Sequence, residues 1–142
     1  MLEIINTKKE NDCDAWYRNP FTIYYFFSRN YKSGISQLAT AAELMTDRIL
    51  RSVKENNSFG ESVLDTALGI IVLINCNHNS IILDQAVEYI INQQNRSGGW
   101  ERWGVYYGGP KKLLTYGSEE MTTGFCLEAL SLYKIQKEKL NK

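Results

Sequence analysis

Proline, histidine and net charge are what this sequence has least of. Two prolines in 142 residues leave few enforced breaks, and a helix interior tolerates no residue worse than proline. A single histidine, His78, rules out a histidine-rich zinc cage. The three cysteines Cys13, Cys76 and Cys126 are odd in number, far apart and without a CxxC pair. That excludes a disulfide framework and points to a reducing compartment, the cytoplasm. Lys+Arg and Asp+Glu are both 16, so no net field draws the chain to nucleic acid or acidic lipid. Its apolar run, residues 67–74, falls short of the ~20 residues that a membrane span needs. The opening MLEIINTKKENDCD has no basic start followed by an apolar run, so no signal peptide is expected.

What the chain does have is hydrophobic content of 44% and aromatic content of 12%, with nine Tyr and three Trp. The length fits one domain, 1–142, with a substantial core. Residues 1–19 read as polar and irregular apart from Leu2, Ile4 and Ile5, and residues 20–138 read as helices. Asn19-Pro20 opens the first, FTIYYFFSRNY, because proline suits a first helical position. Ser36 is placed to cap a second helix running to Lys54, with Leu38, Ala42, Met45, Ile49 and Val53 on one face. Ser62-x-x-Asp65 opens a third, VLDTALGIIVLINC, apolar nearly all round and so expected to be buried on every side. Ser80 caps a fourth; Ser118 or Gly117 caps a fifth, whose tail KIQKEKLNK is suited to fraying. Residues 96–117, rich in glycine and rings, are expected to form one long loop.

The fourth helix ends in QAVEYIINQQNRSGGW, residues 85–100. Here an aromatic-aliphatic pair (Tyr89-Ile90) is followed by Gln94, then by Gly98, then by Trp100. This resembles the QW repeat of squalene-hopene and oxidosqualene cyclases, shared loosely with protein prenyltransferase β subunits. Gln85 stands where those repeats usually carry Lys or Arg. In that family the motif is structural, the Gln amide and Trp ring tying successive helices together. An internal repeat accompanies it: Leu64–Leu68 corresponds to Met121–Phe125 at an offset of 57 residues. Amphipathic helices (second, fourth) alternate with apolar ones (third, fifth). The expected fold is therefore all-α, part of an α/α toroid. Five helices against about a dozen in the family imply an arc, a half or a remnant, and an open arc would expose apolar inner helices.

The chemistry that the resemblance implies is only partly present. Class II cyclases protonate an alkene or epoxide with the central acid of Asp-x-Asp-Asp, usually before Thr-Ala. In Ser62–Ala67 only Asp65 survives and Leu64 occupies the acid position, so that site cannot donate a proton. In Asp12-Cys13-Asp14-Ala15, Asp14 takes the donor position, but Trp-Tyr-Arg-Asn-Pro follows. Asp14 is the one catalytic candidate. Prenyltransferases bind zinc through Asp, Cys and His; Asp12, Cys13 and His78 match in type only, and no metal or other cofactor is expected. The rings Tyr24, Tyr25, Trp100, Trp103, Tyr106 and Tyr107 are the candidate lining of an apolar pocket, as in cyclases that hold a polyprenyl chain against π faces. Each is also ordinary packing material. Arg96, Arg102, Lys111 and Lys112 flank the glycine-rich loop and could meet a diphosphate or simply be solvated.

The leading expectation is a non-catalytic or accessory module binding an apolar, isoprenoid-type ligand, or a partner chain that completes the toroid. A diverged terpene cyclase or prenyltransferase component is the enzymatic alternative, and a protein-interaction scaffold the third. A homo-oligomer or a partner protein is expected in each case.

Overall fold

The computed structural model describes Glu3, Ile5, Tyr17 and residues 20–141. Five helices and one small antiparallel sheet make up the described residues, so the all-α expectation is corrected to mostly helical. Pro20 starts α1 (Pro20–Lys32). A 3₁₀ turn (Ser36–Leu38) leads into α2 (Ala39–Arg51), and the expected Ser36 side-chain cap does not form. α2 stops at Arg51, short of Lys54, where the Ser52 hydroxyl donates to the Ile49 carbonyl at 2.7 Å. Of the expected stripe, Leu38, Ala42, Met45 and Ile49 are buried, whereas Val53 lies beyond the helix and is exposed.

α3 (Val63–Asn75) begins as the capping pattern requires. The Ser62 hydroxyl accepts from the Asp65 N–H at 3.1 Å. The Asp65 carboxylate, however, accepts from the Glu61 N–H at 2.8 Å, one residue before the cap. Ser80 likewise caps α4 (Ile81–Asn92), and Ser118, not Gly117, caps α5 (Glu119–Leu140).

Every residue of α3 from Leu64 to Asn75 is buried, because α1, α2, α4 and α5 all pack against it. Apolar on all sides, α3 has nowhere to go but the centre. Tyr25 and Arg29 of α1 meet Phe125 and Glu128 of α5 in the same order along both helices. Thus α1 and α5 run one way; α4 runs against α5, since Asp84 near its start meets Tyr133 and Lys137 near the end of α5, and the short turns 33–38 and 76–80 set α2 against α1 and α3 against α4. With α1 and α5 touching across it, α3 presents no exposed apolar face; exposed apolar side chains lie on α1 (Phe26), on α4 (Ile81, Ile91), on α5 and on the loops.

The end of α5 does not fray at residue 134. The Tyr133 hydroxyl donates to Asp84 Oδ1 at 2.9 Å, Lys137 Nζ lies 2.7 Å from the same oxygen, and Gln136 Nε2 donates to the His78 carbonyl at 3.0 Å. Burial works against ionised Asp84, but the Lys137 ammonium and the Tyr133 hydroxyl outweigh it and hold the carboxyl below its usual value. Residues 1–19, expected to be irregular, lie mostly outside the described residues. Ile5, one of the three described there, is wholly buried, and its carbonyl accepts from Arg48 Nη2 at 2.5 Å.

Candidate functional site

Two loop-to-helix junctions are built on the same hydrogen bonds. In the first, Asn56 Oδ1 accepts from the Ser58 N–H (3.2 Å) and hydroxyl (2.7 Å). In the second, Asn95 Oδ1 accepts from the Ser97 N–H (3.1 Å), its hydroxyl (2.6 Å) and the Gly99 N–H (3.0 Å). Such Asx turns let a side chain replace main-chain partners where a helix has ended. A buried ring follows each turn, Phe59 and Trp100. The Phe59 N–H donates to Thr66 Oγ1 at 3.0 Å; the Trp103 N–H donates to Thr122 Oγ1 at 3.2 Å. Both threonine hydroxyls sit within reach of the carbonyl of their capping serine, Ser62 at 3.0 Å and Ser118 at 3.1 Å. These bonds pair Ser62, Asp65 and Thr66 with Ser118, Met121 and Thr122. The structural repeat is therefore one residue shorter than the apolar matching in the sequence indicates.

The QW-like residues hold this second junction together. Gln94 Nε2 donates to the Gly98 carbonyl at 2.7 Å, closing a loop in which Gly98 has φ +89°. Trp100 is fully buried. Its indole N–H donates to the Ile90 carbonyl near the end of α4 at 2.8 Å, and its main-chain N–H donates to Thr123 Oγ1 of α5 at 3.1 Å. Trp100 thus ties α4 to α5 through its indole and its main chain, while the Gln94 bond stays within its own loop.

Between Trp103 and Ser118 the second junction carries an insertion that the first lacks. It is a hairpin and not the expected loop: β1 (Tyr106–Gly108) pairs antiparallel with β2 (Leu114–Tyr116). The hairpin stands on its root. A β-carbon on Gly117 would collide with the Trp103 carbonyl oxygen and stand 3.1 Å from Gly104 Cα, so the two ends of the insertion are neighbours. Arg102 Nε donates to the Gly117 carbonyl (2.8 Å) and Nη2 to the Thr115 carbonyl (3.2 Å). This guanidinium buttresses the hairpin root and occupies part of its outer edge.

Rings cover one side of the hairpin. Tyr106 and Tyr116 stack with centroids 5.3 Å apart and planes 17° from parallel. The Tyr116 ring also lies across Gly108, where a β-carbon would collide with it. Tyr106 forms an isolated bridge with Tyr17, whose ring is 6.3 Å from Phe26 of α1. Phe26 in turn meets Tyr25, which meets Phe125 of α5 edge-on at 5.2 Å. A run of rings therefore passes from the hairpin over α1 to α5. Phe26, Tyr106 and Tyr116 are exposed, as are Leu113 (74%) and Leu114 (53%) at the hairpin's far end.

The six rings proposed to line one pocket divide between this surface and the core. Tyr24 is buried, and burial pushes its hydroxyl up to about 12. Tyr25 is buried too; its hydroxyl donates to Glu128 (3.1 Å) and accepts from Arg29 (2.6 Å), so it cross-links α1 and α5. Trp100 is the junction staple, and half-buried Trp103 packs on the core beside it. Tyr106 belongs to the exposed surface; half-buried Tyr107 carries Lys112 Nζ 5.3 Å above its ring. Tyr17, Phe26, Leu113, Leu114 and Tyr116 were not singled out by sequence.

The remaining chemical candidates separate clearly. Asp12, Cys13 and Asp14 lie outside the described residues. Asp65 is buried and engaged with the junction main chain. His78 Nε2 is 2.9 Å from Ser80 Oγ at the start of α4. Cys126 is a core thiol whose pKa burial raises to about 12; Cys76 is half-buried and raised by burial, against a bond from Thr46. Among the described residues no three of His, Cys, Asp and Glu converge on a metal position, and no helix is long and apolar enough to cross a membrane. Neither a comparison with protein-family models nor one with curated proteins finds a match for this chain.

Proposed function

We propose that this chain is a non-catalytic helical module that binds an apolar ligand of isoprenoid type on the ring surface formed by Tyr17, Phe26, Tyr106 and Tyr116. The observation that carries the reading is the exposure of Phe26, Tyr106 and Tyr116, with half-buried Tyr17 between them, together with Leu113 and Leu114 on one hairpin and the adjoining helix. Exposed apolar groups gathered in this way mark interaction sites more often than chance solvent contact. Aromatic faces suit a branched, unsaturated chain, which offers flat alkene segments for stacking. Lys111 and Lys112 at the hairpin turn give the surface a positive end for an anionic head group.

The same reading takes α1, α3 and α5 as the inner layer of an α/α arc and α2 and α4 as its outer layer. Its support is the repeated junction chemistry and the alternation of direction, which an unrelated five-helix bundle has no need of. A general acid in this arc would need an enclosed setting. Asp65 does not offer that role, because the Glu61 N–H engages its carboxylate at 2.8 Å.

Titration with a polyprenyl alcohol and with the corresponding diphosphate, read by tyrosine and tryptophan fluorescence, tests the proposal. Saturable binding, weakened at least tenfold in Phe26→Ala/Tyr106→Ala with the helical circular dichroism unchanged, is the expected result. No saturable binding of either compound, or equal binding by the variant, overturns it.

A further inference from the structure

We infer that the cleft between α2, the end of α1 and the turn joining α3 to α4 is a binding site for an organic cation, an ammonium group carried on a small apolar body. The site shares no residue with the ring surface, so failure of either reading leaves the other standing. The cleft holds about 470 Å³, within the roughly 300–1,000 Å³ typical of small-molecule sites. One face of α2 forms a wall of it, with Ala39, Ala42, Glu43, Thr46, Asp47 and Leu50 recurring at helical spacing. Tyr31, in the last turn of α1, and Cys76, Asn77 and His78, in the turn after α3, complete the lining.

The lining selects the charge of the occupant. It brings two carboxylates, Glu43 and Asp47, and no lysine or arginine. Asp47 is engaged by Arg51 at 2.9 Å, an exposed pair within α2. Glu43 has no cation beside it among the described residues. Burial raises the Cys76 thiol, against a bond from Thr46, so this wall is an uncharged, polarisable sulfur and not a thiolate. An anion would therefore meet only carboxylates of its own sign.

The lining also separates an organic cation from a metal ion. Among the described residues no three of His, Cys, Asp and Glu converge on a metal position, so a bare ion lacks its ligands here. An ammonium needs fewer. A carboxylate accepts its N–H groups in charge-assisted bonds, a tyrosine ring offers a π face to its charge, and Ala39, Ala42 and Leu50 receive the apolar body. The turn that closes the cleft is held without a ligand. His78 Nε2 lies 2.9 Å from Ser80 Oγ, Gln136 Nε2 donates to the His78 carbonyl at 3.0 Å, and the Asn77 N–H donates to the Ile74 carbonyl at 3.0 Å. Binding there does not have to order the wall first.

His78 is the chain's single histidine, so its ring resonances report on this cleft without ambiguity. Proton NMR titration of the full chain at fixed pH with phenethylammonium, phenethyl alcohol and hydrocinnamate, three molecules of similar shape and different charge, is the test. Phenethylammonium is expected to shift the His78 ring resonances saturably. The alcohol should bind at least tenfold more weakly, and hydrocinnamate should leave them unmoved. Glu43→Gln should weaken the ammonium at least tenfold, and Asp47→Asn by less, because Arg51 already engages Asp47. Both positions are exposed on α2, and unchanged circular dichroism verifies the fold. A phenethylammonium titration with no saturable shift overturns the inference; so does an alcohol that binds equally well, or a Glu43→Gln variant that binds like the wild type.

Discussion

The junction before α3 and the junction before α5 perform the same task with different lengths of chain. Each follows a helix with an Asx turn, buries a ring, caps the next helix with serine and ties threonine to the chain ahead of it. In the first, Phe59-Gly60-Glu61-Ser62 does this directly. In the second, fourteen residues separate Trp103 from Ser118; Val105 is buried in the core, and residues 106–116 form the hairpin. The difference teaches that the hydrogen bonds at the junction root hold the helices, while the hairpin is an addition that exposes rings. Stability and surface presentation are carried by different atoms of one loop.

If the roots are equivalent, removing their rings should cost alike. Phe59→Ala and Trp100→Ala are each expected to lower unfolding free energy by about 3–5 kcal/mol, the range for buried aromatic deletion. Denaturant titration compares the two; a Trp100 variant that loses almost nothing would break the equivalence. The threonines come next. Thr66→Val and Thr122→Val each strand an N–H donor, from Phe59 and Trp103, at a cost of about 1–3 kcal/mol. Thr66 is the more demanding site, since its hydroxyl also lies 3.2 Å from the Phe59 carbonyl. Thermal unfolding should rank Thr66→Val below Thr122→Val. Ser62→Ala and Ser118→Ala should cost about 1 kcal/mol each as cap deletions, measurable in the same assay. Unequal costs would show that one cap is dispensable.

The smallest effect is electrostatic. Asp84 sits below the usual carboxyl value in the fold, with Lys137 and Tyr133 overcoming the opposing effect of burial. A depressed carboxyl stabilises the fold above its unfolded pKa, and that contribution fades as pH drops through the folded value. The melting temperature of the wild type should therefore exceed that of Asp84→Asn at pH 6, and the gap should close below about pH 4. Both partners are about one-third exposed, so the gap corresponds to no more than about 1 kcal/mol. A gap that widens in acid would contradict the assignment.

Helix positions were legible in the sequence where a serine cap preceded an apolar run, as at Ser62, Ser80 and Ser118. Pro20 marked α1 equally well, but α2 was misplaced: Ser36 opens a 3₁₀ turn, and α2 starts three residues later. The end of α5 misled because KIQKEKLNK reads as solvated, and only the fold brings Asp84 under Tyr133 and Lys137. The repeat was visible but slipped by one position, since matching Leu64 to Met121 aligns apolar side chains whereas the helices align by their caps. The hairpin was hidden because its strands are three residues each, too short for period-two alternation to stand out among glycines. Ring composition cannot separate Tyr25, sandwiched between α1 and α5, from its neighbour Phe26, which faces out; one residue of helical rotation decides it.

Removing residues 105–116 tests the division of labour most directly. It joins Gly104 to Gly117, which already stand side by side, and turns the second junction into Trp103-Gly104-Gly117-Ser118, the counterpart of Phe59-Gly60-Glu61-Ser62. The expected product keeps its helical circular dichroism and cooperative unfolding but lacks the polyprenyl alcohol binding proposed for the full chain. A deletion variant that fails to fold would contradict the claim that the roots alone hold the helices, and one that folds and still binds would put the ligand site elsewhere.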